Sequence, residues 1–166
     1  MDGFTTKAFT MTESFLQTLA KVNFARRYYA LCAEATMSPG SSAPRISVKE
    51  LMVELRLHFQ VHKAKGPGTV FRFEDQELDA HALIFAIVIP SYGGTFDPCL
   101  RFVEGHTERA GGNFPTLAGK SAEKEGIALP NPPYPRPEFA EANELPGLVL
   151  RCLEIAREVA RALPKQ

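Results

Sequence analysis

At 166 residues, with Lys plus Arg matching Asp plus Glu at 19 each, the chain has the size of one ordinary domain and no net charge. It lacks the basic excess of proteins that grip phosphate backbones, so nucleic acid is not expected as its main partner. Its composition, 45% hydrophobic and 23% charged, is that of a globular chain, and the longest apolar run, Ala82 to Pro90, is too short to span a bilayer.

Cys32, Cys99 and Cys152 are odd in number and widely spaced, and no two have metal-ligand or redox-motif spacing. Two of them sit in apolar runs, so small buried hydrophobes in a reducing compartment are expected. Met1 to Thr12 shows no basic stretch followed by a hydrophobic core, so a signal peptide is not expected. A cytoplasmic protein with no membrane segment is the resulting expectation.

Thr10-Met11-Thr12-Glu13 has the form of a capping box, and Phe15, Leu16, Leu19, Val22, Tyr29 and Cys32 recur behind it at helical spacing. This predicts a helix from about Thr12 to Ala35, with room for a break between Asn23 and Arg27, ended by Ser38-Pro39-Gly40. Ser38 to Pro44 reads as a loop. Leu51, Val53, Leu55, Leu57, Phe59 and Val61 then alternate with Met52, Glu54, Arg56, His58, Gln60 and His62, the period of a half-buried antiparallel strand. Gly66-Pro67-Gly68 turns the chain into a second strand, Thr69 to Phe73, with Phe71 and Phe73 facing inward.

Glu74 to Asp79 reads as an acidic connection, and Leu83 to Ile89, apolar at nearly every position, as a strand buried on both faces. Leu100 to Val103 is a further strand. Tyr92 to Pro137 is rich in Gly and Pro and has no clear period, which predicts a long irregular segment of the kind that carries contacts. After Pro130 to Pro137, a helix beginning near Asn143 carries the stripe Leu145, Leu148, Val149, Cys152, Ala156, Val159, Ala160 and Leu163. The whole chain, 1–166, reads as one α+β domain. A mainly antiparallel sheet of about four or more strands carries an N-terminal and a C-terminal helix on one face.

Candidate chemistry is sparse. Ala118-Gly119-Lys120-Ser121 looks like the end of a phosphate-binding loop, but the glycine required five positions before Gly119 is Phe114. His58 and His62, four apart on a strand, would lie about 13 Å apart, too far to share a metal ion. His106 between Glu104 and Glu108 reads as an exposed turn, and no Gly-x-Ser-x-Gly surrounds Ser91 or Ser121. Cys99 has no assignable base and reads as an inert thiol. No catalytic residue, metal site or cofactor is therefore expected.

Binding chemistry is better represented. The acidic run Glu74, Asp75, Glu77 and Asp79 lacks the glycine and terminal glutamate of a calcium loop, but suits steering of a basic partner. Tyr92, Phe96, Phe114 and Tyr134 sit among glycines and prolines with Arg101, Arg109 and Arg136 nearby, and aromatic and arginine side chains dominate interface hot spots. The stiff run Asn131-Pro132-Pro133-Tyr134-Pro135-Arg136-Pro137 would lose little entropy on binding. The expected partner-contact residues are the four acids with Tyr92, Phe96, Arg109 and Phe114.

In size, in the Leu51–Val61 pattern, and in Gly-Gly-Asn-Phe-Pro (111–115) followed by Tyr-Pro-Arg-Pro-Glu-Phe (134–139) ahead of a terminal helix, the chain resembles the immunity proteins that bacteria pair with secreted or contact-delivered toxins. The resemblance implies a non-enzymatic protein that binds one cognate toxin and blocks its active site or substrate access. The alternative is a small enzyme or ligand-binding domain with a pocket between the sheet and the 92–137 segment, in which His58, His62 or His106 would act as acid–base groups. A third class is a homo-oligomer that self-associates through its sheet edge.

Overall fold

The computed structural model describes residues 13–36, 46–66, 68–90, 94–104 and 107–164, with only the backbone at 104 and 107–110. Six α-helices and five strands lie among them: α1 (Glu13–Lys21), α2 (Phe24–Glu34), α3 (Val48–Arg56), β1 (Val61–Ala64), β2 (Thr69–Phe73), α4 (Gln76–Asp79), β3 (Leu83–Ile89), β4 (Asp97–Glu104), β5 (Thr107–Asn113), α5 (Phe114–Glu125) and α6 (Leu145–Ala162). The strands form one antiparallel meander in the order β1-β2-β3-β4-β5. The α+β class and the packing of the helices on one face are as expected.

The register explains the layering. Val61, Phe71, Phe73, Leu83, Phe85, Ile87, Ile89 and Leu100 lie on one face by cross-strand pairing, and all of them enter the core that the helices share. His62, Arg72, Ile84, Ala86, Val88, Cys99 and Arg101 point the other way, and none joins that core. A strand offers its two faces alternately, so a sheet with helices on one side sorts its residues in this manner.

β2 and β3 have the boundaries read from their apolar runs, and Phe71 and Phe73 face inward. Leu100 to Val103 lies inside β4. The N-terminal helix is two helices, because Asn23 takes the left-handed conformation (φ 57°) between α1 and α2, a conformation that asparagine tolerates better than most residues. Thr10 to Thr12 of the expected capping box, and Ser38 to Pro44, fall outside the described residues.

The long alternating strand is corrected. Residues 48–56 are helical, and only the end of the expected run, Val61 and His62, enters β1. Ser47 caps α3, its hydroxyl accepting from the Glu50 amide at 3.1 Å. Leu51 and Leu55, four apart, are buried, whereas Val53 and Leu57 of the expected inward face are 55% and 68% exposed. Leu, Met, Glu, Lys and Arg favour a helix locally, and Ser47 with Glu50 three positions on has the spacing of a helix start. Burial of a 51/55 stripe outweighed an alternation that was incidental.

The irregular segment is corrected as well. Most of 92–137 is ordered into β4, β5 and α5. Asn113 caps α5 by accepting from the Thr116 amide at 2.9 Å, Pro115 lies in its first turn, and Gly126 ends it at φ 71°. Phe114, Leu117, Ala118, Ser121 and Ala122 are its buried stripe. Gly119 and Lys120 therefore lie in mid-helix, and the Ser121 hydroxyl donates to Glu125 Oε2 at 3.0 Å. That geometry is incompatible with a phosphate-binding loop.

Candidate functional site

The residues expected to touch a partner are scattered by the fold. Tyr92 lies outside the described residues; Arg109 has its backbone in β5, and its side chain is outside them. Phe96 and Phe114 are fully buried and are corrected to core residues. Phe96 packs on Phe139 with ring centroids 6.3 Å apart. Phe114 meets the rings of Phe24, Tyr28 and Phe85 at 4.9, 5.6 and 6.0 Å, joining α2, α5 and β3. A side chain without accessible surface offers nothing to a partner. Phe114, Leu117 and Phe96 also occupy the space between sheet and segment in which the alternative reading sought a pocket.

The acidic run is divided. Asp75 caps α4, accepting from the Leu78 amide at 3.0 Å, and is paired with Arg157 of α6 at 2.6 Å. Glu77 is held by Arg161 through two bonds of 2.5 and 2.8 Å, and this guanidinium keeps its carboxyl below the usual carboxylate range. Both acids pin α4 to the terminal helix, so neither projects a free charge. Of the four acids, Glu74 and Asp79 are exposed and have no ion pair among the described residues. Asp75→Ala removes a cap and leaves Arg157 without its partner, so we expect a loss of about 2 kcal/mol in urea-monitored stability.

The titratable groups do not converge. His58 follows α3, His62 lies on β1 and His81 follows α4, all exposed, and His106 is outside the described residues. Cys99 belongs to β4 rather than to a loop. Burial pushes the Cys32 thiol up to about 11 and the Cys99 thiol up to about 12, and raises Cys152 well above its ordinary value, so all three stay protonated near neutral pH. No group of three or more His, Cys, Asp or Glu side chains able to hold a metal ion occurs among the described residues. A shallow cleft of about 200 Å³ between α2 and α6 is lined by Arg27, Ala30, Leu31, Arg151, Glu154 and Ile155. Ion pairs from Arg27 to Glu158 and from Arg151 to Glu34 bridge the two helices there. Ligand pockets usually exceed about 300 Å³, and this cleft is smaller.

One exposed feature of the expected segment survives as a surface. After Gly126 the chain runs over the helices as a strap to Phe139. The Ile127 amide returns to Ala122 O at 2.8 Å and fixes its start. Tyr28 Oη donates to Pro135 O at 2.7 Å, and Arg136 pairs with Asp97 at 2.7 Å. The Glu138 amide donates to Ala35 O at 2.7 Å, the Phe139 amide to Gly94 O at 2.9 Å, and Thr95 bridges Glu138. Between these anchors, Leu129 and Tyr134 are 48% and 58% exposed, with Pro132 and Pro133 exposed beside them. The Tyr134 ring lies over Gly119, where a Cβ would come within 3.3 Å of Cε1. A glycine in mid-helix weakens α5 but makes room for that ring.

Sequence reasoning placed Tyr134 in a stiff run but did not foresee its ridge or its seat on Gly119. The available signal was the pairing of a mid-helix glycine with a nearby Pro-Pro-Tyr, which only contact makes meaningful. No helix among the described residues is long and apolar enough to cross a membrane. No family model, curated protein or solved structure matches the chain.

Proposed function

We propose that this is a non-enzymatic binding protein that captures one protein partner on the ridge from Leu129 to Tyr134, in the manner of an immunity protein that covers the active site or substrate access of a cognate toxin. The observation that supports this reading is the contrast within the strap. Its backbone is bonded to Tyr28 of α2, to Ala35 and to Gly94, and the Arg136 side chain is paired with Asp97 of β4, while Leu129 and Tyr134 stay exposed. A ridge already fixed in one conformation loses little entropy on docking. A half-exposed tyrosine supplies a broad apolar face with a polar tip, the chemistry that dominates interface hot spots.

The mechanism needs complementarity and no bond-making. Leu129 and the two prolines would supply the dry centre, and the Tyr134 hydroxyl a hydrogen bond toward the rim. The acidic run contributes less than its composition suggests, because Asp75 and Glu77 are already committed to Arg157 and Arg161.

The test is affinity capture with the tagged full chain from its native cell, followed by size-exclusion mass analysis and an activity assay of the captured protein with and without this chain. A single stoichiometric partner whose activity is blocked is the expected result. Tyr134→Ala should weaken that complex by about 2 kcal/mol, roughly thirtyfold, without changing the far-ultraviolet dichroism. A partner-free monomer, or a complex indifferent to Tyr134→Ala, would refute the proposal.

A further inference from the structure

Between Glu54 and Glu74 the chain contains no acidic residue, yet it carries Arg56, Lys63, Lys65 and Arg72 together with His58 and His62. In a chain of zero net charge this is a marked segregation. All six side chains are exposed. Arg27, Lys124, Arg136, Arg151, Arg157 and Arg161 are each paired with a carboxylate, whereas these four cations, like Lys21, Arg26, Lys49 and Lys120, have no ion pair among the described residues. The fold has paired two of the four acids around α4, Asp75 and Glu77, and left Lys63, Lys65 and Arg72, on or next to β1 and β2, without ion pairs among the described residues.

The same edge has unused backbone. Among the described residues, β1 is an outermost strand and pairs only with β2. The Glu74 amide donates to Gln60 O at 2.9 Å, and the register continues this opposition to Val61↔Phe73 and His62↔Arg72. Hydrogen-bonded pairs alternate along an antiparallel ladder, so His62 and Ala64 turn their backbone groups toward β2. Val61 and Lys63 therefore turn theirs outward. His62 and Arg72 stand directly opposite on the same face, a placement of two basic groups that does nothing for the sheet itself. Val53 and Leu57, on the α3 segment that contacts β1, are 55% and 68% exposed.

A lone edge lysine guards against aggregation. Cations without ion pairs, a ladder edge without a partner strand and two exposed aliphatic side chains, all among the described residues, make a surface with its own complement. We propose that the β1 edge is a docking site that takes an extended, acidic and partly apolar segment of a partner protein as an added strand. The ladder would engage Val61 and Lys63, carboxylates would meet Lys63, Lys65 and Arg72, and apolar side chains would rest on Leu57 and Val53. A polypeptide fits better than a nucleic acid: Phe59 lays its ring against Phe73 at 5.3 Å, within the fold, and base stacking uses exposed rings. The site is independent of the strap, which is tied to β4, three strands away.

The test uses the full chain and a fluorescent peptide of about eight residues alternating Glu and Val, read by anisotropy. Saturable binding should weaken steeply as salt rises from about 50 to about 500 mM. Lys63→Glu combined with Arg72→Glu should weaken it about tenfold or more. Lys63→Pro should bind more weakly than Lys63→Gln, because both lose the charge and only proline loses the outward amide. Tyr134→Ala should leave peptide binding unchanged, which separates this site from the strap. Should the charge-reversed protein fail to fold, the salt response of the unmodified chain and Lys65→Gln carry the test. Absence of saturable binding, or indifference to charge reversal and salt, overturns the proposal. Equal affinity for a Lys-Val peptide, or for a single-stranded oligonucleotide of the same charge as the Glu-Val peptide, overturns it too.

Discussion

Phe114→Ala is expected to cost about 3–5 kcal/mol of folding stability, read as a fall in the urea midpoint with an unchanged slope. The ring is fully buried and touches three others, Phe24, Tyr28 and Phe85, drawn from a helix before the sheet and a strand within it. Truncation forfeits the transfer energy of the ring and leaves a cavity between rigid elements that cannot collapse around it. A domain of this kind has about 5–15 kcal/mol in all, so the variant would be marginal. Phe114→Leu keeps much of the volume and should cost less. The result also bears on function: any loss of partner capture by Phe114→Ala would follow from unfolding, whereas Tyr134→Ala should act on the complex alone. A loss below about 1 kcal/mol would mean that the ring is not at the centre of the core.

Gly111→Ala is expected to be comparably damaging, at least about 3 kcal/mol, through the backbone. Gly111 sits in β5 opposite Arg101 at φ 124°, a conformation that residues with a Cβ rarely adopt. A methyl group there would lie 2.3 Å from Leu100 O and 2.7 Å from Arg101 Cα. Both atoms belong to the backbone of β4, which is laddered to β3 on its other side and has no freedom to withdraw. The strain therefore falls on the β4–β5 pairing, and thermal or urea unfolding of the purified variant measures it. Gly126→Ala is the useful contrast: it shares a positive φ but meets nothing within 4 Å, so it carries the conformational cost without the collision.

Where the sequence was legible, local and tertiary demands agreed. Leu83 to Ile89 is apolar at nearly every position because β3 lies in the middle of the sheet, and its boundaries follow from composition. The stripe from Leu145 to Ala160 matches the buried face of α6 because a long helix on a core repeats its contacts every three to four residues. The α+β class rests on the order helix, strands, irregular segment, helix; it stands although the Leu51–Val61 member of that order is a helix, because β2, β3, β4 and the terminal helix carry it. Where the sequence misled, two periods shared the same residues. Leu51 and Leu55 fit both an alternating strand and a helical stripe, and only packing selects between them. In 111–126, glycines suggested looseness, although Asn113, Pro115 and Gly126 are the start and stop signals of α5.

By itself, then, the chain determined its class, its central strand, its terminal helix and its lack of any local motif for chemistry, since each depends on neighbours in sequence. Tertiary structure alone decided which charges are spent and which remain. Asp75 and Glu77 are 82 and 84 residues from the arginines that neutralise them, and no local pattern encodes such a pairing. It also decided that Phe96 and Phe114 are core while Tyr134 is surface, because exposure depends on what the rest of the chain lays over a side chain.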